Sequence, residues 1–383
     1  MKSTIYISIG VVFLILLFIH PASAQFQLST SIHTSYDDNI SNNYLNIEDK
    51  VAQLSLSSAY DFSSESSNTQ LFYMGSFNYF QKAIDRTFYA HSAGLVYTKL
   101  FGEDLESALN MGGTYNTRSN RSSYTLINYN QYTAYINAKQ YLGERVVGKL
   151  GYRLKYLGYE ELQELSNLEN YGFAQVTTFL PSKTTLIFET GLGIKTYTNA
   201  PPETLSTIGS GRPRQTLNET SPSVMQFIGT TRVAQSIFEN TGLSFAMQYQ
   251  KNLQEETRYL SSGYMISDDE IFDDNYGYEG TSFELTLTQI LPWSMMSSLS
   301  ASYGNKNYVN RPAYDLNDNI ISNQRVDKLF VTSFMLEKTF SISGFINNFS
   351  ISLLYDYIDN NSNDLFYKHK NNVGAINFEF GLN

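Results

Sequence analysis

The chain has 383 residues, with 26 basic against 36 acidic side chains, a net charge of −10 and no cysteine. An acidic balance argues against nucleic acid as a partner, because binding a phosphate backbone needs clustered Lys and Arg. The absence of thiols removes disulfides, thiol nucleophiles and thiolate metal sites together.

Residues 1–24 read as a cleaved signal peptide. Lys2 supplies the positive start, Ile5 to Ile19 the apolar core, and Ala22-Ser23-Ala24 the small-residue cleavage site. No Cys follows that site, which excludes a lipoprotein anchor, and the mature chain is expected to begin near Gln25. Nothing after residue 24 is an apolar run long enough for a transmembrane helix. Charged residues make up 16% of the chain and aromatic ones 15%, with 30 Tyr. An apolar ring with a polar tip suits a membrane–water boundary and a long strand alike.

Period-two alternation of apolar and polar residues marks sixteen segments along the chain. The first eight are 26–36, 50–62, 69–81, 88–101, 105–117, 125–141, 145–158 and 170–180. The rest are 184–198, 223–236, 241–252, 276–290, 294–305, 326–341, 345–358 and 367–382. Connections after even-numbered segments are short, whereas those after odd-numbered ones include the polar stretches 199–222, 253–275 and 306–325. Sorting loop lengths onto two ends is the pattern of a transmembrane up-and-down antiparallel β-barrel, with periplasmic turns, extracellular loops and both termini periplasmic. The expected strand count is about sixteen, in the range 14–18. Residues 25–383 would form one barrel domain, with no room for an N-terminal plug.

Proline supports this division, since it cannot donate to a strand ladder. Pro181 and Pro292 fall in short turns, and Pro201, Pro202, Pro213, Pro222 and Pro312 in or beside long loops. The turns Phe179-Leu180-Pro181-Ser182-Lys183 and Ile290-Leu291-Pro292-Trp293-Ser294 carry large apolar groups where a periplasmic girdle would sit.

The last segment closes the barrel. Ile376, Phe378, Phe380 and Leu382 share one face of an extended strand, and Ala375, Asn377 and Glu379 share the other. An open edge in hydrocarbon is not viable, so this segment must pair with the first.

The whole of residues 25–383 resembles the porin-like outer-membrane β-barrels of Gram-negative bacteria in architecture. Tyr36-Asp37-Asp38-Asn39-Ile40, at the end of the first segment, is similar to the Tyr-Asp-x-Asn turn that opens certain barrel porins, some linked to exopolysaccharide export. Asp and Asn are also good turn residues in their own right. The C-terminus departs from the usual barrel ending, with Gly381-Leu382-Asn383 after Phe380. The resemblance implies an outer-membrane location, with lipid, lipopolysaccharide and the barrel assembly machinery as partners.

Assigning the more apolar face of each segment to lipid leaves a set of inward charges as candidate pore-lining residues. These are Lys139, Lys149, Arg153, Lys155, Lys195 and Arg232 on one side, and Glu284, Glu337, Asp356 and Glu379 on the other. Opposed walls of charge would orient and filter polar solutes. Loop 199–222, with Gly209, Gly211, Arg212 and Arg214, is long enough to fold inward as a constriction. Asp268, Asp269, Glu270, Asp273 and Asp274 crowd another loop, but their spacing does not match an EF-hand and no metal site is assigned. His33 and His369 are expected to face inward near the extracellular side of the seam, with Ser31, Ser35 and Asp37 close to His33. Ser is too common here for that proximity to indicate catalysis, so no catalytic residue, cofactor or enzyme activity is expected. The leading expectation is a channel for passive passage of small polar solutes or oligosaccharides. The alternative is a barrel with a blocked lumen, serving polysaccharide export or binding a surface glycan or protein through its loops.

Overall fold

The computed structural model describes residues 25–102, 105–199, 223–253, 275–317, 319–342 and 346–382. The expected signal peptide lies outside these residues. So do Gly209, Gly211, Arg212 and Arg214 of the expected constriction, and the five clustered acids from Asp268 to Asp274.

Alternating Tyr, Phe, Leu, Ile and Val against Ser, Thr, Asn and Gln favours extended backbone with two unlike faces. The structure forms β1 (Gln25–Asp37), β2 (Asp49–Ser63), β3 (Ser67–Phe80), β4 (Phe88–Phe101), β5 (Ser107–Asn120) and β6 (Tyr129–Gly143). These are followed by β7 (Val146–Tyr159), β8 (Asn167–Leu180), β9 (Thr184–Tyr197), β10 (Ser223–Phe238) and β11 (Thr241–Asn252). The chain continues with β12 (Glu279–Leu291), β13 (Met295–Tyr308), β14 (Ala313–Tyr314) and β15 (Ile320–Ser322). It ends in β16 (Arg325–Ser341), β17 (Ile346–Ser362) and β18 (His369–Leu382). All but β14 and β15 pair in chain order into one closed antiparallel barrel, with β13 beside β16 and β18 beside β1. The closing register runs from Leu28↔Leu382 to Asp37↔Val373.

One face of this sheet is apolar and bare. Ile32, Leu54, Leu95, Ile136, Leu150, Phe188, Phe245, Leu285, Phe334, Leu353 and Ile376 are all exposed and alternate with the inward polar residues. A continuous apolar surface of this extent is suited to hydrocarbon and not to water. On the last strand Phe378 and Phe380 face outward and stack on Phe349 of β17, at 6.4 and 4.8 Å. Turns at one end span 64–66, 102–106, 144–145, 181–183, 239–240, 292–294 and 342–345. At the other end, connections reach 198–222, 253–278 and 309–324. Trp293, in a left-handed backbone conformation at φ 62, is 80% exposed at the short-turn end.

The structure corrects three boundaries. The sixth segment was expected from 125, but residues 122–127 form a 3-10 turn and β6 starts at Tyr129. The twelfth was expected from 276, but residues 275–277 form another such turn and β12 starts at Glu279. The stretch 306–325 was read as a polar loop, yet it holds the end of β13 and the β14–β15 hairpin. In the first two cases residues of the 3-10 turns pack inward and alternate like a strand, burying Ile127 and Tyr276. Ile127, Tyr159, Leu162 and Leu165 form a buried cluster there, flanked by Tyr124, Leu126, Tyr129 and Leu157.

The Tyr36–Ile40 turn fastens the seam. Both carboxylate oxygens of Asp38 accept from Asn372, one from its backbone N–H and one from its side chain, each at 2.7 Å. Asn39, fully buried, donates to the Asn43 carbonyl at 2.7 Å, to Asn46 Oδ1 at 2.9 Å and to the Lys370 carbonyl at 3.3 Å. Asn371 Nδ2 returns to the Asn39 carbonyl and to Asn42 Oδ1, at 3.2 and 2.9 Å. Removing such a group strands buried partners at about 1–3 kcal/mol each. Asn39→Ala and Asp38→Ala are therefore expected to lower the temperature at which the folded band converts to the unfolded band on a gel. An Ala substitution at exposed Ser64 should leave that temperature unchanged.

Candidate pore lumen

The inward face is read directly from the register. Lys139 (β6) is the direct partner of Lys149 (β7), and Lys155 (β7) and Lys195 (β9) flank Glu169 of β8 from both sides. Arg153 lies opposite Tyr171, and Arg232 (β10) opposite Ile187. All share the face opposite exposed Leu150, Tyr152 and Phe188. Across the barrel, Glu284 (β12), Glu337 (β16), Asp356 (β17) and Glu379 (β18) lie opposite the exposed Leu285, Phe334, Leu353 and Ile376 rows. The basic residues occupy the arc β6–β10 and these acids the arc β12–β18.

The structure adds residues that the sequence reading omitted. Glu169 pairs with Lys155 at 2.7 Å, and Glu189 accepts from Gln175 Nε2 at 3.0 Å, so the basic arc is not purely basic. Arg118 of β5 extends that arc and sits over the Phe88 ring at 3.8 Å. On the other arc, Lys306 (β13) and Arg325 (β16) stand near the long-loop end. Glu189 shares the period-two face of Lys195, which was a sufficient signal. Glu169 was missed because β8 begins earlier than its apolar pattern suggests. Several of the cations lie beside rings two residues along or across the ladder: Lys139 over Tyr141 at 4.8 Å, Lys149 over Phe173 at 5.5 Å and Arg153 over Tyr171 at 5.2 Å. Such contacts hold a cation against the wall without neutralising it.

Burial along the inner face is graded. Near the long-loop end Asp49, Lys195, Gln226, Gln250, Arg325, Asp327 and Asn371 are all buried. At mid-height and below, Met74, Arg153, Arg232, Glu284 and Glu379 are exposed although they point into the barrel. Among the described residues the inner face is thus roofed toward the long-loop end and exposed toward the short-turn end.

Polar side chains pin that roof in place. Arg86, 4% exposed, donates to the Ile40 carbonyl at 3.0 Å and to Ser41 Oγ at 3.2 Å, between the Phe80 and Tyr124 rings. Burial lowers its pKa, against the opposing pull of Tyr124, Asp37 and Asp49. Arg325 pairs with Asp327 and lies 4.2 Å from the Tyr308 ring and 3.3 Å from that of Tyr367. Arg311 donates to Tyr367 Oη at 2.8 Å. Asp364 accepts the backbone N–H groups of Tyr314 and Phe366 at 3.1 and 3.0 Å, and burial pushes its carboxyl up from the ordinary 3.8. Gln226, Gln250 and Asn252 donate to the carbonyls of Asn275, Tyr276 and Tyr278, holding the end of the 253–278 connection against β10 and β11. Tyr276 then reaches across to β9, where its hydroxyl fills the space that a Cβ at Gly193 would need.

The histidines are not brought together. His33 aligns with Asn377 and Gln53 at mid-strand, whereas His369 begins β18 and its Nδ1 meets the Tyr367 carbonyl. His91 faces outward and bonds Tyr73 Oη at 2.8 Å.

No family model and no curated protein matches this sequence. Among solved structures, Pseudomonas aeruginosa OccK8 (OprE) aligns over 94% of this chain and 98% of its own, at 10% identity and a TM-score of 0.53. The chain has a porin-like β-barrel fold. Pseudomonas aeruginosa OpdQ aligns over 94% and 99% of the two chains, at 9% identity and a TM-score of 0.53. Pseudomonas aeruginosa OpdK, crystallised with vanillate, aligns over 94% and 98%, at 9% identity and a TM-score of 0.50. In this porin-like barrel the roof should respond sharply to loss of one buried charge. Arg325→Leu leaves Asp327 buried without its cation, at about 3–5 kcal/mol. Chemical denaturation is expected to show that loss, and the double variant Arg325→Leu/Asp327→Leu should recover most of it.

Proposed function

We propose that this protein is an outer-membrane channel for passive passage of small polar solutes or oligosaccharides, reached after cleavage of residues 1–24. The observation that carries this reading is the exposure of Arg153, Arg232, Glu284 and Glu379 on the inner face of a closed sixteen-stranded barrel. Charges inside a barrel of that size are stable only beside water, and barrels of sixteen to eighteen strands ordinarily enclose an aqueous lumen. The long loops then face outward from the cell and the short turns face the periplasm. Lipid and lipopolysaccharide surround the barrel, and the barrel assembly machinery inserts it.

Selectivity would come from the two arcs. Lys139, Lys149, Arg153, Lys155, Lys195 and Arg232 present positive potential from one side, moderated by Glu169 and Glu189. Glu284, Glu337, Asp356 and Glu379 present negative potential from the other. A transverse field of this kind aligns dipolar solutes and slows those that cannot reorient. Hydroxyl-rich solutes and small carboxylates fit it; vanillate, present with the neighbour OpdK, is one such carboxylate.

A second reading has support in the buried roof. If it closes the lumen completely, the barrel serves export or surface binding through its loops instead. Conductance in planar bilayers separates the two. Purified protein is expected to give discrete open-channel currents, and Arg153→Glu/Arg232→Glu should shift the zero-current potential in a salt gradient several-fold toward cation preference. A folded barrel that never conducts would overturn the channel reading and favour the second.

A further inference from the structure

The inner face carries its aromatic rings on one arc, from β3 to β9. Tyr135 of β6 and Tyr171 of β8 are the two register partners of Arg153. Phe173 follows Tyr171 on the same face, and Phe72 of β3 precedes Met74 on its face. From β10 round to β2 the inward positions of the barrel strands hold, among the described residues, a single Phe, Tyr or Trp. That residue is Tyr308, buried at the long-loop end.

Four of these rings lie down along the wall instead of projecting from it. Phe72, Tyr135, Phe173 and Tyr171 occupy the space that a Cβ would need at Gly94, Gly112, Gly151 and Gly191, each glycine on a neighbouring strand. The ring stations therefore fall on β4, β5, β7 and β9. Gly151 and Gly191 are the two partners of Phe173 on one rung, and Gly112 is the partner of Val96, two residues from Gly94. At about 4.8 Å per strand, the arc from β4 to β9 spans roughly 24 Å of wall. A ring laid across a glycine turns a face, not its tip, to the lumen, and all four rings stay partly exposed. Tyr171 and Phe173 stand 6.1 Å apart and within 25° of parallel, so they present one continuous surface.

The wall across the lumen is built differently. Each acid of that arc has a serine as direct register partner: Glu284 with Ser302, Asp356 with Ser333, Glu337 with Ser352, and Glu379 with Ser350 and Ser31. That wall offers hydroxyls and carboxylate acceptors. The ring arc adds the cations Lys149 and Arg153 beside Phe173 and Tyr171, at 5.5 and 5.2 Å. A pyranose has the matching division, with C–H groups on a flat face and hydroxyls round its edge. Its C–H groups meet the negative face of an aromatic ring, and its hydroxyls donate to carboxylates and accept from cations. We propose that Phe72, Tyr135, Phe173 and Tyr171 form a stacking track for neutral pyranose oligosaccharides. The serine–carboxylate wall meets the far edge of the sugar directly or through water. This inference rests on the hydrated lumen of the channel reading and narrows its solutes from polar molecules in general to sugars. An inorganic ion or an acyclic polyol has no ring face and gains nothing from the track.

The test is isothermal titration calorimetry of the full-length barrel purified in detergent. Maltohexaose, cellohexaose and mannohexaose are the probes, with sorbitol as a hydroxyl-rich control that lacks a ring. The wild type is expected to bind at least one hexasaccharide and not sorbitol. Tyr135→Leu/Phe173→Leu keeps apolar cover over Gly112 and Gly151 but removes two ring faces, and should bind about tenfold more weakly. Tyr135→Phe/Tyr171→Phe keeps the faces and should retain most of the binding. Val331→Ala, inward on the ring-free wall, should change nothing. Heat-modifiable gel migration verifies folding of each variant, and the single substitution Phe72→Leu replaces the double Leu variant if it fails to fold. Equal binding by the Leu variants, or no binding of any hexasaccharide by the folded wild type, would overturn the inference. Planar-bilayer conductance is recorded on the same preparation. A barrel that conducts without binding sugar loses this inference alone, and one that binds sugar without conducting loses the channel reading alone.

Discussion

A strand edge in hydrocarbon leaves a row of N–H and C=O groups with neither water nor protein to meet them, at several kcal/mol each. The chain answers this by returning its last strand to its first, ten residues against ten from Leu28↔Leu382 to Asp37↔Val373. That pairing spans nearly the whole sequence, so little local energy favours it before the rest of the sheet exists. Its register is fixed by what lies on either face. A one-residue slip would carry Phe378 and Phe380 into the lumen and Glu379 into lipid. The Asp38, Asn39, Asn371 and Asn372 hydrogen bonds lock the seam at one end, where a fraying edge would otherwise start.

Closure also determines the inside. A sixteen-stranded sheet is too wide for its own side chains to fill, and the described inner face is buried chiefly toward the long-loop end. Loops at one end fold back, bury Ile127, Leu162 and Leu165, and are held by buried side chains that bond loop carbonyls, Arg86 to Ile40 and Gln226 to Asn275. A buried Arg or Gln is costly unless each donor is satisfied, so these pins define one loop arrangement and penalise others. Below them the inner face returns to charges that need water. The gradient from buried Arg325 to exposed Glu379 follows from that division, with no change in residue type required.

Much of this was readable from period two alone. The strand segments, the inward parity of Lys149, Arg153 and Glu379, and the outward parity of Phe380 follow from a repeat that one-residue shifts would destroy. The loop roof was not readable. Ile127 and Tyr276 alternate with polar neighbours just as strand residues do, which extended two segments past their true starts. Arg86 and Gln226 look like a solvated charge and a solvated amide in sequence, because their partners are 46 and 52 positions away, and Arg325 looks like one half of a local Arg–Asp pair although the Tyr308 and Tyr367 rings enclose it. The Tyr36–Ile40 turn was legible as a turn, but its partner Asn372 lies 334 positions from Asp38. Glu169 was hidden by a strand start that its apolar pattern does not mark.

The central claim is a lumen filled beneath the loops and hydrated below them. A chain without native cysteine allows this to be measured position by position. Single cysteines would be placed at inward Arg153, Arg232 and Glu284, at roofed Val224 and Ser362, and at outward Leu54 and Leu285. Each variant, reconstituted in lipid, would be exposed to a small charged thiol reagent. The account predicts rapid labelling at Arg153→Cys, Arg232→Cys and Glu284→Cys, and strong protection at the other four positions. Protection of the mid-height positions, or labelling of the roofed ones at the same rate, would contradict it.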